Sequence, residues 1–290
     1  LMTMRIHAKN LDDLWDKVNH TFIFNPEVID FTRPGVSVHS FHNELIADNC
    51  ECTITLSALG YTRTKWSMLL RLYFDDYEYK MMINRLIHYR TVERRGKHYV
   101  PDIGMQFRSR ENRTGACLMG LTFRYSSKTG WECSVFSRTN ETTARWSVDL
   151  IFIHRLVATV GEITGFFTPK DVKLYWTAGS MFQSATTAPL YMVMMGREKE
   201  IIKMIKGKYG KLNRWQETIV RRYGESYNAK YGTGELKYQT YKSQARVTKA
   251  YLRLKGQDEN PAPSISNDSL LIPKVDLTLD EDFFTRRGFR

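Results

Sequence analysis

Between Asn140 and Gly165 the chain places Val148, Ile151, Ile153, Leu156, Val157 and Val160 at spacings that make most of a helix surface apolar. A helix of that kind has to be enclosed by other elements. The pattern predicts a helix from Glu141 to Val160, capped by Asn140 and stopped at Gly161 or Gly165. Strand-like runs precede it at His98 to Phe107, Ala116 to Tyr125 and Trp131 to Phe136. The last two are joined by Ser126-Ser127-Lys128-Thr129-Gly130, which suits a hairpin loop. Another strand is expected at Val172 to Trp176, and Met181 to Met195 is an apolar segment whose type the pattern leaves open.

Towards the amino terminus, Leu11, Leu14, Trp15 and Val18 mark an amphipathic helix over residues 9 to 20. Alternation predicts strands at Val36 to Phe41 and at Cys52 to Leu56, with a polar turn around Asp48-Asn49 between them. Residues 64 to 90 favour helix on a wide apolar face that includes Trp66, Leu69, Met82 and Leu86. The mix is α+β, a sheet with one long central helix.

Charge divides the chain. Residues 197 to 255 hold 16 Lys or Arg against 5 Glu and no Asp, so that stretch alone accounts for +11 of the net +12. The expected organisation is a core over 1–196, a basic and mainly helical segment over 197–256, and a flexible acidic tail over 257–290. Tyrosines and Trp215 lie among the lysines and arginines of the basic segment, a composition that suits nucleic acid as a partner. The same segment keeps Ile201, Ile202, Met204, Ile205, Leu212, Trp215, Ile219 and Val220 at helical spacing, which suits helices docked on the core with a solvated basic face.

No run of about 18 uncharged apolar residues occurs and no apolar signal core opens the chain, which predicts a soluble, cytoplasmic protein with no membrane partner. The four cysteines are too few and too scattered for a disulfide framework or a four-thiolate zinc site. Cys50-Glu51-Cys52 has no partner pair, and His39 and His42, three apart in an expected strand, should face opposite ways. No metal site is expected.

The candidate chemistry lies at Cys117, Arg138 and Asp149. Arg138 follows Cys117 by 21 residues and precedes Asp149 by 11. A thiolate adds readily to C6 of a pyrimidine, and nearby guanidinium groups raise the thiolate fraction. Arginine offers a fork of donors to a phosphate monoester. A carboxyl group can pair with the 4-amino and N3 edge of cytosine. The ordinary alternatives are a buried strand cysteine for Cys117, an ion pair with Glu141 for Arg138, and pairing with Arg145 or His154 for Asp149.

This order of residues resembles the thymidylate synthase and deoxycytidylate hydroxymethylase superfamily over roughly residues 30 to 190. The likeness rests on Gly115-Ala116-Cys117-Leu118, Phe136-Ser137-Arg138-Thr139 and Asp149, joined by Thr32-Arg33-Pro34-Gly35, Gly104-Met105-Gln106-Phe107-Arg108 and Trp176-Thr177-Ala178-Gly179. The resemblance implies a thymidylate synthase-like mixed sheet and one-carbon transfer to C5 of a pyrimidine nucleoside monophosphate. It implies Cys117 as nucleophile, Arg33 and Arg138 as phosphate ligands, and Asp149 as the residue that selects cytosine. It also implies 5,10-methylenetetrahydrofolate as cofactor and a homodimer in which Arg113 reaches the neighbouring subunit's phosphate site. Hydroxymethylases of this kind often serve viral genome modification, so the likeness further implies a phage setting. The chain departs from the pattern at Met68, where the family has a proton-relaying glutamate, at Leu118 and Ser137 beside the motif residues, at Phe182 and Ser184 in place of the sugar-binding histidine and tyrosine, and at its carboxy-terminal end. The other reading is a non-catalytic protein of the same fold that binds nucleotide or nucleic acid.

Overall fold

A computed structural model describes residues 3–24, 30–33, 37–91, 99–107, 117–184, 187–205, 207–208, 210–220 and 265–273. In chain order the elements are β1 (Arg5–Ala8), α1 (Leu11–Phe24), β2 (Asp30–Arg33), β3 (Ser37–Ala47), α2 (Arg63–Tyr73), α3 (Asp76–Thr91), β4 (Tyr99–Gln106), β5 (Leu118–Ser126), β6 (Gly130–Glu141), α4 (Trp146–Thr164), β7 (Val172–Ser184), α5 (Ala188–Met194) and α6 (Glu198–Ile205). The strands form one mixed sheet in the order β1-β3-β7-β6-β5-β4, with β2 paired to β3. The β1/β3 and β6/β7 pairs are parallel and the others antiparallel. The fold is mixed α+β, as the patterning predicts.

One face of this sheet is covered. Leu45, Val135 and Trp176 point into the core, and Trp176 meets Trp146 of α4 edge to face at 5.7 Å. Burying aromatic area of this size is a dominant stabilising term. The other face is open: Phe136, Thr177 and Gly179 are exposed, each next in sequence to a buried residue. That alternation is the ordinary consequence of strand geometry.

Alternation fails at one place, and it fails in several strands at once. Inward positions run Val38 and Ser40, then Asn43 and Leu45, in β3; Trp176 and Ala178, then Met181 and Gln183, in β7; Val135 and Ser137, then Asn140, in β6. Each strand changes phase where His42, Gly179 and Arg138 stand in register between the paired positions 43↔178 and 137↔178 on one side and 41↔180 and 139↔180 on the other. His42 carries φ 53°, the only positive φ at a non-glycine residue among the described residues. The sheet bends there, and His39 and His42 both end on the open side instead of on opposite faces.

α4 begins at Trp146, five residues later than expected, for a local reason. The Glu141 carboxylate accepts from the backbone N–H groups of Thr143, Ala144 and Arg145 at 3.2, 2.9 and 3.1 Å, so it holds the turn before the helix open. Asn140 instead donates to Ser137 Oγ at 2.6 Å. The helix ends at Gly165, whose φ of 69° a side chain would oppose. Residues 63–91 form two helices, broken at Phe74-Asp75, where the Asp75 carboxylate caps α3. Cys52 to Leu56 forms no strand. Asp12 takes the N–H groups of Thr53 and Ile54, and Asn267 donates to the carbonyls of Cys52 and Ile54, so side chains satisfy what a neighbouring strand would have paired.

The helical residues 214–220 of the basic segment pack Trp215 and Ile219 into the core, and Gln216 donates to the carbonyl of Ile23 at 3.0 Å. Lys199, Lys203, Lys208 and Lys211 stay exposed. Residues 265–273 lie in the stretch expected to be a flexible tail, yet they return to the core. Leu270 and Ile272 are buried, Arg155 donates to the carbonyl of Leu270 and Trp66 to that of Leu271. No described helix is long and apolar enough to cross a membrane.

Candidate active site

Cys117 stands at the entrance to β5, and its carbonyl accepts from the Arg138 N–H at 2.8 Å. This backbone bond sets the two residues side by side at the bend. Cys117 is half-buried, whereas Cys50, Cys52 and Cys133 are buried and burial pushes their thiols up, which keeps them protonated and inert. Of the four thiols, Cys117 alone has access to solvent or ligand.

Asp149 lies in the first turn of α4 and is 4% exposed. Burial raises its carboxyl to about 7, against the opposing pull of the Tyr73 hydroxyl and the Arg145 guanidinium. The Tyr73 hydroxyl donates to Asp149 Oδ1 at 2.9 Å. Tyr73 is itself pushed up by burial and by Asp149, and Cys117 lies close enough to add to that effect. Tyr73, at the end of α2, therefore holds the carboxyl, with Cys117 in its electrostatic surroundings. Sequence reasoning missed it, because an aromatic on the apolar stripe of a helix looks like core packing. Its one signal is the hydroxyl, which needs a partner once buried. The partner is neither Arg145 nor His154: Arg145 acts through its charge alone, and His154 Nδ1 meets the carbonyl of Cys50 at 2.9 Å.

Arg138 is exposed, and strand alternation sends its side chain to the open face together with Phe136. Asp149 belongs to the helix on the covered side, so the guanidinium and the carboxyl flank the sheet at the Cys117 end. Among the described residues no ion pair joins Arg138 to Glu141, whose carboxylate is engaged by the turn before α4 and by Thr187 Oγ1 at 2.6 Å. Arg33 ends β2, and its side chain lies outside the described residues, as does all of Arg113.

The relay position offers no carboxylate. Met68 is exposed on α2, and of the nearby acids Asp75 is spent on capping α3. Phe182 stacks on His39 at 5.3 Å. The flat ring of methylenetetrahydrofolate finds no open stacking surface beside Asp149, because Trp66, Tyr73, Phe107 and Phe152 pack on one another and none is more than 8% exposed. The described residues do not fit that cofactor, and the chemistry assigned below to the chain's own residues runs without it. No group of three metal-ligating side chains occurs among the described residues.

No family model matches the sequence, and no curated protein matches it. Among solved structures, the thermostable thymidylate synthase A from Bacillus subtilis superposes with a TM-score of 0.39 at 8% identity, over 70% of this chain and 85% of that one. An overlap that loose places no individual residue.

Proposed function

We propose that the chain is a pyrimidine-nucleotide C5 transferase with Cys117 as its nucleophile and a cytosine nucleoside monophosphate as its substrate. The observation that carries this reading is the buried Asp149 carboxyl, raised by burial to about 7 and hydrogen-bonded by Tyr73, near the one thiol of the four that is not fully buried. A carboxyl perturbed by burial next to a specific partner is a functional-site candidate.

In the proposed reaction the Cys117 thiolate forms a bond to C6, and the electron pair of the C5=C6 bond moves to C5. C5 then takes a proton from water or attacks a one-carbon electrophile. Loss of the original C5 hydrogen as a proton restores the double bond and expels the thiolate. Tyr73 occupies Oδ1 of Asp149 as donor, so the carboxyl proton resides on Oδ2. A neutral carboxyl of that kind donates to cytosine N3 and accepts from the 4-amino group. Arg138 is assigned to the phosphate. Arg33 and Arg113 are further phosphate ligands, and a homodimer accompanies the reading, on resemblance alone.

The test is release of tritium from C5-labelled cytidine and uridine monophosphates, ribo and deoxyribo, with and without methylenetetrahydrofolate. Release from the cytosine nucleotide, abolished in Cys117→Ser, is the expected result. Silence on every nucleotide, joined to oligonucleotide binding that weakens steeply with salt, would favour the second reading, in which exposed Lys199, Lys203, Lys208 and Lys211 of the basic segment bind nucleic acid.

A further inference from the structure

A cavity of about 450 Å³ opens at the edge of the sheet, and none of the residues assigned to the nucleotide lines it. Its walls come from three parts of the chain. Arg5 belongs to β1, the edge strand; Asp16, Lys17 and His20 belong to α1; and Arg197 stands at the corner between α5 and α6. A volume of that order takes a small organic ligand.

Three lining residues are cationic and one is acidic, and the acid is already engaged. Asp16 accepts from the Tyr191 hydroxyl at 2.6 Å and from Arg197 Nη2 at 3.1 and 3.3 Å. These bonds fix the Arg197 guanidinium in the wall, where its Nε is enclosed with no partner among the described residues. The other acids nearby, Glu44, Asp13 and Glu200, pair with Arg5, Lys17 and Arg197 from outside the lining. The Arg5–Glu44 pair joins side chains that are 75% and 55% exposed, and pairs so open to water hold weakly. Lys17 meets Asp13 and the carbonyl of His7, each at 2.9 Å, which leaves its third ammonium proton for the cavity.

His20 reports the field inside. Burial, and after it the charge of Arg197, holds its imidazole below the usual histidine range, while Asp16 and Glu200 each pull the other way less strongly. The positive charge of Arg197 is therefore felt in the cavity in spite of its bonds to Asp16. A neutral imidazole in that wall offers one N–H.

We propose that this cavity binds an organic polyphosphate, with Arg5 and Lys17 closing on its phosphoryl oxygens against the fixed guanidinium of Arg197 and with His20 as a further donor. Three cations converging from separate elements on one volume suit an anion whose charges are spread along its length. The assignment is independent of the reading of Cys117 and Asp149. Arg197 begins the basic segment and is tied to α1 by Asp16, so an occupied cavity fastens the start of that segment to the core.

Calorimetric titration of the full chain with inorganic pyrophosphate, deoxycytidine triphosphate and oligothymidylate tests this in the wild type, in Arg5→Gln/Lys17→Gln and in Lys199→Gln/Lys203→Gln. Pyrophosphate and the triphosphate should bind the wild type and raise its melting temperature, while the rate of Cys117 alkylation stays unchanged with pyrophosphate. The Arg5/Lys17 variant should bind both at least about tenfold more weakly, and the Lys199/Lys203 variant should bind them as the wild type does. A charge-keeping Arg5→Lys/Lys17→Arg chain, expected to retain most of the affinity, separates loss of charge from loss of folding. Wild-type affinity in Arg5→Gln/Lys17→Gln would overturn the proposal. Equal weakening in both glutamine variants would do so too, by spreading the binding over the whole basic surface. Binding of oligothymidylate with neither pyrophosphate nor the triphosphate would give the cavity's cations to nucleic acid and reject the polyphosphate.

Discussion

The two faces of the sheet use the same strands for opposite ends. On the covered side, inward residues pack on one another and on α4: Trp176 donates to Ser137 Oγ at 2.8 Å and meets Trp146 edge to face, and burial raises the Asp149 carboxyl to about 7. On the open side, Thr177, Gly179 and Arg138 face solvent, where charge costs little. The difference teaches how one layer can serve two chemical needs. In the proposed site the carboxyl assigned to the base is kept neutral by burial, the guanidinium assigned to the phosphate stands exposed, and Cys117 lies beside the latter through its carbonyl.

The largest way to break this contrast is to cut into the covered side. Trp176→Ala should cost about 3–5 kcal/mol by denaturant unfolding, since a fully enclosed indole leaves a cavity. Its neighbour on the open side, Thr177→Ala, should change stability by no more than about 0.5 kcal/mol. Equal effects at the two positions would mean that the faces are not distinguished as described.

A second, somewhat smaller effect concerns protons. The Asp149 carboxyl is raised from 3.8 to about 7 by folding, so the folded chain holds a proton that the unfolded chain has lost between those values. Its contribution to stability is full below about pH 4, declines as pH rises through 7, and is flat above. Asp149→Asn, which cannot ionise, should remove this slope. The variant should gain on the wild type by something on the order of 2–4 kcal/mol between pH 4 and pH 8. A wild-type profile with no such slope would place the carboxyl in water, and the covered side would lose its distinction at the site.

Much of the layer was legible in the chain. The apolar stripe of α4, the hairpin at 126–130 and the alternation in β5 and β6 follow from short-range periodicity, and they stand where expected within a few residues. What escaped was set by partners distant in sequence. Cys52 to Leu56 alternates like a strand, but Asp12, 41 residues from Thr53, and Asn267, 215 residues from Cys52, take its backbone groups. The bend at His42 breaks the period of two on which facing arguments depend, so a reading that keeps strict alternation puts His39 and His42 on opposite sides. At the site, the spacing singled out Cys117, Arg138 and Asp149; the Arg138 N–H meets the Cys117 carbonyl, while Arg138 is exposed and Asp149 is buried on α4. Tyr73 escaped because its bond to Asp149 spans 76 residues and no local pattern announces it.

The most direct measurement is alkylation of the native protein with iodoacetamide, read by peptide mass spectrometry, in the presence and absence of deoxycytidine monophosphate. Of the four thiols only the half-buried Cys117 is not fully enclosed, and the proposed site puts the nucleotide over it. Rapid labelling confined to Cys117, and suppressed by the nucleotide, is the predicted result. A Cys117 that labels no faster than Cys50, Cys52 and Cys133, or that labels at the same rate whether or not the nucleotide is bound, would contradict the account.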